Sequence, residues 1–124
     1  MLGLVITTDG KMYKKDFRNP LYSSAEPILG GLFENVNPMY LQEPFCFLVN
    51  ESGLLKGLPL NPIGCAWYQG EIAGNIIVLK RAFTSSGPDV VGLTEEECDT
   101  VINLVYEFSD EDYRLVKDPA HGVL

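Results

Sequence analysis

The sequence predicts a single α+β domain, with a mostly antiparallel mixed sheet of about five strands, an N-terminal hairpin and two helices packed on one face. Three observations predict it. The 124 residues suit one hydrophobic core. Apolar runs of strand length alternate with turn residues, at spacings too irregular for repeated βαβ units. A helical apolar stripe closes the chain. We assign residues 1–108 to the domain and 109–124 to an acidic C-terminal tail.

The first element is a β-hairpin. Leu2 to Thr7 is apolar and rich in β-branched residues, and Thr8-Asp9-Gly10 follows it. An Asp-Gly pair between two extended runs predicts a type I′ turn, because both residues tolerate positive φ. The returning strand is expected from Lys11 to Phe17, and Asn19-Pro20 ends it.

A short helix and three further strands follow. Ser23 or Ser24 can cap the helix, Pro27 would then lie in its first turn, and Gly30-Gly31 would stop it. Strands are predicted, in chain order, at Leu32 to Val36, Phe45 to Val49 and Asn75 to Arg81. The second of these is apolar throughout, which is typical of a central strand. Thr84 to Asp89 is expected to be a flexible turn.

The segment from Leu54 to Gly74 is predicted to be a compact, packed loop. Its glycines and prolines argue against a long helix or strand, whereas its leucines, Ile63 and Trp67 are too apolar for a mobile linker.

The C-terminal helix has the clearest signal. Thr94 and Glu97 form a capping box, in which each side chain satisfies the other residue's backbone donor. An apolar stripe at helical spacing then faces the sheet; it comprises Cys98, Val101, Ile102, Val105 and Phe108. The chain is acidic from Asp110 onward, and we expect it to fray there.

Composition excludes several classes of protein. Hydrophobic residues make up 46% and charged residues 21%, which is globular rather than disordered. No apolar run could cross a bilayer and no signal peptide is visible, so we expect a cytoplasmic protein without membrane contact. The net charge of −8 repels a phosphate backbone, so we expect no direct nucleic-acid binding.

Catalytic and metal-binding motifs are absent from the sequence, and we lean towards a protein that is not an enzyme and needs no cofactor. There is no phosphate loop, dinucleotide fingerprint or nucleophile elbow. Cys46, Cys65 and Cys98 are widely spaced, which favours reduced structural thiols over disulfides or a metal site. The one histidine, His121, lies in the expected tail, where a catalytic cysteine could not readily recruit it.

Two motifs carry a family resemblance. The first motif is Gly30-Gly31-Leu32-Phe33-Glu34. The second runs from Asn50 to Asn61 and contains Asn50-Glu51-Ser52-Gly53 followed by Lys56-Gly57-Leu58-Pro59-Leu60-Asn61. With the Leu93 to Glu96 helix start, this order resembles the family known as domain of unknown function 3846, over roughly Ala25 to Tyr106. Its members occur in bacteria, phages and conjugative elements. The resemblance implies no catalytic residues, and it suggests an accessory role.

The leading functional hypothesis is a non-catalytic binding module for a small ligand or a host protein, and we expect it to be a homo-oligomer. Prolines lower the entropy that a loop loses on ordering, so the segment from Lys56 to Tyr68 could be a preformed recognition surface. Aromatic residues favour binding sites. The candidate binding residues are Asn50, Glu51, Lys56, Asn61, Trp67 and Tyr68.

Three alternatives remain open. Leu58, Leu60 and Trp67 could simply pack in the core, with Asn61 as a turn former. Acidic runs at Glu95 to Glu97 and Asp110 to Asp112 could mimic DNA and capture a DNA-binding protein, although helix capping and solubility also explain them. A cryptic small-molecule enzyme would need a deep pocket in which Glu34, Glu51 or Asp89 converge.

Overall fold

The computed structural model describes residues 1–120, and the prediction for His121 therefore lies outside the described residues. The elements in chain order are β1 (Leu2–Ile6), β2 (Lys11–Asp16), α1 (Leu21–Leu29), β3 (Phe33–Val36), β4 (Phe45–Asn50), α2 (Pro62–Tyr68), β5 (Ile76–Thr84), β6 (Gly87–Val91), α3 (Glu95–Phe108) and β7 (Arg114–Leu115).

All described strands belong to one sheet. The strand order is β3-β4-β5-β1-β2-β7, and β6 pairs with β5 beside this path. Every pair is antiparallel except β2–β7, which is parallel. The predicted α+β class is confirmed, but the sheet has seven strands rather than five.

The sheet is covered on both faces, so the prediction that the helices pack on one face is wrong. Successive residues of a strand point to opposite faces. Phe47 and Val78 face a core that includes Val101 of α3 and Trp67 of α2. Cys46, Leu48, Ile77 and Leu79 face a second core, which α1 covers with Ala25 and Leu29. We call these the α2/α3 face and the α1 face.

The N-terminal hairpin is present, but its turn is not type I′. The Gly10 amide donates to the Thr7 carbonyl and the Thr7 amide to the Lys11 carbonyl. Gly10 has φ of 86°, whereas Asp9 is not among the described residues with positive φ. The turn is therefore type I with a glycine bulge, which needs only one left-handed residue.

Helix α1 begins earlier than predicted. Its N-cap is Pro20, with no side-chain cap, and the Ser24 hydroxyl instead donates to the Arg18 and Leu21 carbonyls. Pro27 consequently lies inside the helix rather than in the first turn, where it removes one backbone donor. The helix ends as predicted at Gly30, which is left-handed with φ of 81°.

The segment predicted to be a loop contains helix α2. Asn61 is its N-cap and Pro62 occupies the first turn, where a missing N–H costs nothing. Gln69 ends the helix in a left-handed conformation.

The strands after α2 also extend further than predicted. Instead of a flexible turn over residues 84–89, β5 continues to Thr84 and β6 returns from Gly87, with Phe83 paired to Pro88. Only the tip of this hairpin is a turn.

The predicted capping box of α3 is confirmed: the Thr94 hydroxyl accepts from the Glu97 amide, and the Glu97 carboxylate accepts from the Thr94 amide. Cys98, Val101, Ile102 and Val105 of the predicted stripe are buried, but Phe108 is exposed.

The described part of the predicted tail packs against the domain. Arg114 and Leu115 of β7 pair with β2, and Tyr113 is buried. Asp118 is buried and forms an ion pair with Lys15 at 3.1 Å. The fraying expected from Asp110 onward is therefore not seen over residues 110–120. No helix within residues 1–120 is long and apolar enough to span a bilayer.

Candidate functional site

Asn61, predicted to contact a ligand, is fully buried at 0% exposure. Its Oδ1 accepts from the Gly64 amide at 3.1 Å, which caps α2. Its Nδ2 donates to the Ile6 carbonyl at 3.0 Å and to the Gly74 carbonyl at 3.2 Å, and the Tyr113 hydroxyl approaches Oδ1 at 3.5 Å. These contacts join α2 to β1 and to the approach to β5.

Trp67 and Tyr68 have opposite environments. Trp67 is buried and stacks on Phe47 with ring centroids 6.1 Å apart, as the packing alternative expects. Tyr68 is 36% exposed at the end of α2.

Asn50 and Lys56 complete the C-terminal end of α1. The Asn50 Nδ2 donates to the Leu29 carbonyl at 2.9 Å, and its Oδ1 accepts from the Ser52 amide at 2.8 Å. The Lys56 ammonium donates to the Gly30 carbonyl at 3.2 Å. A helix end leaves carbonyls without intrahelical partners, and a cation there is favourable. Both side chains thus join the Asn50 turn to α1.

A groove of about 380 Å³ lies on the α2/α3 face beside β3, and we call it the β3 groove. Of the six predicted residues it brings together Asn50, Glu51 and Tyr68, while Lys56, Asn61 and Trp67 lie outside its lining. The other lining residues are Glu34, Val36, Val49, Ser52, Gly53, Leu54, Leu55, Glu71, Ile72 and Ala73.

A close backbone contact forms one wall of the groove. Gly53 lies so near Ala73 that a Cβ on Gly53 would be 2.6 Å from the Ala73 carbonyl oxygen. Only glycine allows this approach without a backbone shift. A β-bridge between Leu60 and Ala73 holds the second segment in place. The Asn50 turn and the segment after α2 therefore meet, although they are separate in sequence.

The chemistry of the β3 groove is acidic and apolar. Glu34, Glu51 and Glu71 are exposed, and no Lys or Arg is present among the described residues that line the groove. Leu54 and Leu55 are 54% and 92% exposed, so apolar surface adjoins the carboxylates. Within residues 1–120 no group of three His, Cys, Asp or Glu side chains could hold a metal ion.

Sequence reasoning missed part of this groove. Glu34 is a sequence-based candidate only for an enzyme pocket, and Glu71 is not among the candidates. Asp89, the third acid of that hypothesis, lies on β6 and does not line the groove. The available signal was the segment Tyr68 to Ile72, where polar residues follow the aromatic pair.

The first acidic run serves to attach α3. Glu95 pairs with Lys14 at 2.7 Å, and Glu97 pairs with Lys80 at 2.8 Å. Burial favours the protonated form of Glu97, but hydrogen bonds from Lys80 and from the Thr94 amide outweigh it and hold the pKa of Glu97 below 4.5. Two of the three carboxylates therefore have cationic partners and contribute less to a DNA-like surface.

The buried thiols are unsuited to nucleophilic chemistry. Burial raises the pKa of Cys98 to about 11 and also raises the pKa of Cys46. A thiolate is the reactive form, and it is disfavoured at both positions at neutral pH. Cys46, Cys65 and Cys98 are free thiols within residues 1–120, and Cys65 is only partly buried.

Comparison with known families identifies a domain family that covers most of the chain. The profile of the family described as "Domain of unknown function (DUF3846)" matches residues 1–106, which include every element from β1 to most of α3. The match confirms the resemblance inferred from the Asn50 to Asn61 motif. Searches of curated proteins and of solved structures found no match.

Proposed function

The chain belongs to the DUF3846 family, and on that premise we propose that it is a non-catalytic binding module whose β3 groove takes a cationic partner. The family description assigns no activity, so the proposal depends on the residues of the groove. The family resemblance favours an accessory protein of a bacterium, phage or mobile element.

The observation that carries the proposal is that three carboxylates, which form no ion pair with any of residues 1–120, adjoin exposed apolar surface. Glu34, Glu51 and Glu71 line one groove without a lining Lys or Arg. By contrast, Glu95 and Glu97, which attach α3, each have a lysine partner. An ammonium or guanidinium group on an apolar stem matches such a groove, because long basic side chains bury their methylenes while the charge reaches an acid.

This groove replaces the Lys56 to Tyr68 segment as the recognition surface of the module. The hydrogen bonds of Asn61 and the packing of Trp67 account for those residues as structural ones. Glu51 and Tyr68 remain as binding residues, and Asn50 contributes by fixing the turn that carries Glu51. A basic segment of a host protein is the partner class that best fits an exposed apolar and acidic groove.

A peptide titration tests the proposal. The probe is acetyl-Lys-Val-Lys-Val-Lys-Val-amide, added to ¹⁵N-labelled protein at about 0.15 M salt, where the Debye length is about 8 Å. We expect chemical-shift changes at the amides of Glu51, Gly53, Tyr68 and Glu71. Exposed ion pairs contribute about 0.5 kcal/mol each, so the triple variant Glu34→Gln, Glu51→Gln, Glu71→Gln should bind about tenfold more weakly.

The matched control removes equal charge elsewhere. Glu96→Gln, Glu107→Gln and Asp110→Asn together change three exposed acids outside the groove. This variant should keep its affinity within about twofold, because the pairs are local and screened by salt. Equal weakening in the two triple variants would mean that the peptide responds only to net charge, and the proposal would then be wrong.

A further inference from the structure

β3 is the outer strand at one end of the sheet, and no other strand within residues 1–120 pairs with its second edge. It pairs with β4 on one side only, and it stands first in the strand order. We propose that the partner is an extended basic segment that adds to β3 as a further strand and extends its basic side chains over the β3 groove. This inference rests on the function proposed above and specifies the form of its partner.

The register of β3 with β4 shows which backbone groups are available. The Glu51 amide donates to the Leu32 carbonyl, so Leu32 and Glu51 form a hydrogen-bonded pair. Such pairs alternate with non-hydrogen-bonded ones in an antiparallel ladder. The pairs Phe33–Asn50 and Asn35–Leu48 are therefore non-hydrogen-bonded. Phe33 and Asn35 consequently direct their N–H and C=O groups towards the free edge.

The two faces of β3 present different side chains to an added strand. Glu34 and Val36 lie on the groove side. Phe33 lies on the α1 face, where it stacks with the half-exposed Tyr22 at a centroid distance of 5.6 Å. An added strand would place alternate residues on these two faces. The matching sequence therefore alternates Lys or Arg with an aliphatic or aromatic residue.

Charge selects this occupant over a second copy of the chain. Pairing β3 with its own copy would bring two acidic grooves together, each on a chain of net charge −8. Like charges at close range are unfavourable, whereas a basic strand gains from every groove carboxylate. Short length and a charged residue protect an edge against indiscriminate pairing, and β3 has both. Glu34 thus excludes acidic strands and favours basic ones.

Backbone N-methylation of the same peptide tests strand addition separately from groove binding. In an antiparallel pairing the residues opposite Phe33 and Asn35 share their face, so the valines of acetyl-Lys-Val-Lys-Val-Lys-Val-amide would bond to β3. Methylating the valine nitrogens should weaken binding at least tenfold. Methylating the backbone nitrogens of the lysines changes only the edge of the peptide that faces away from β3, so it should leave the affinity within about twofold.

The outcomes separate the two proposals. The two isomers are the peptide methylated at the valine backbone nitrogens and the peptide methylated at the lysine backbone nitrogens. Loss of binding with one isomer and not the other, together with slowed hydrogen exchange at the Phe33 and Asn35 amides, supports strand addition. Loss of binding with the lysine-methylated isomer would indicate that the added strand is parallel to β3. Equal affinity of the two isomers, whether both bind or neither does, overturns strand addition. If the two isomers and the parent peptide all shift the groove amides equally, the groove proposal survives. If the parent peptide does not bind at all, the groove proposal fails.

Discussion

The substitution Asn61→Ala distinguishes a structural asparagine from a ligand-binding one. Asn61 is fully buried and accepts the Gly64 amide while donating to the Ile6 and Gly74 carbonyls. Alanine removes these three hydrogen bonds, together with the longer contact from the Tyr113 hydroxyl, and leaves the three backbone groups without these partners at a fully buried position. The change therefore affects the α2 cap and the link to β1 together.

The expected magnitude follows from these three contacts. Loss of an N-cap costs about 1 kcal/mol. Each of the two donated bonds contributes about 1 kcal/mol net. The free energy of unfolding should thus fall by about 3 kcal/mol, a large fraction of the roughly 5–15 kcal/mol that stabilises an ordinary domain. For a chain of this size, that loss lowers the Tm by roughly 10 °C.

Urea unfolding followed by circular dichroism measures the effect, with Asn103→Ala as the matched control. Asn103 is exposed on α3, so its replacement by alanine should change the free energy of unfolding by less than about 0.5 kcal/mol. Affinity for the basic peptide should be unchanged in folded Asn61→Ala. A destabilisation below about 1 kcal/mol combined with lost peptide binding would refute this reasoning and restore Asn61 as a binding residue.

Two further predictions concern titratable groups. Because the folded pKa of Glu97 lies below its ordinary value, its stabilisation is present above the unfolded pKa and is lost as the pH falls through the folded pKa. Glu97→Gln should therefore be less stable than wild type at pH 6, and this difference in the free energy of unfolding should shrink as the pH falls below the unfolded pKa. Glu96→Gln should show no such convergence in urea unfolding. Burial disfavours the thiolates of Cys46 and Cys98, so iodoacetamide at pH 8 should label neither residue in the folded protein. Mass spectrometry of tryptic peptides measures the labelling. Labelling of either cysteine as fast as in the unfolded protein would contradict its burial.

The elements that the sequence predicted well are those whose signal is local. The run from Phe45 to Val49 predicts a central strand because every residue in it is apolar. The Thr94–Glu97 capping box predicts the start of α3. Helix α2 was missed because Pro62 and Gly64 look like helix breakers. Pro62 occupies the tolerant first turn, and Gly64 packs against Ile72 and Ile76, where a Cβ would come within 3.0 Å of both. That close packing is tertiary and has no local signature.

The candidate site was harder to predict because it joins distant segments. Glu34, Glu51 and Glu71 meet through the pairing of β3 with β4 and through the contact of Gly53 with Ala73. The Asn50 to Asn61 motif contains Asn50 and Glu51, which line the groove, and also Asn61, which is buried away from it. A buried polar side chain and an exposed one look alike in a single sequence, because only the fold decides which groups surround them.

The strand order has a consequence for how the domain is assembled. The β1–β2 hairpin is synthesised before the other elements of this domain, but the second edge of β1 pairs with β5, so that Leu4 cannot pair with Val78 until β5 has been synthesised. Until β5 is synthesised, Val5 and Ile6 lie on a strand with an open edge. Sheets closed by such distant pairs fold slowly, since the loop must close before the contacts form. The nascent N-terminal hairpin is therefore the segment for which early chaperone protection would matter most.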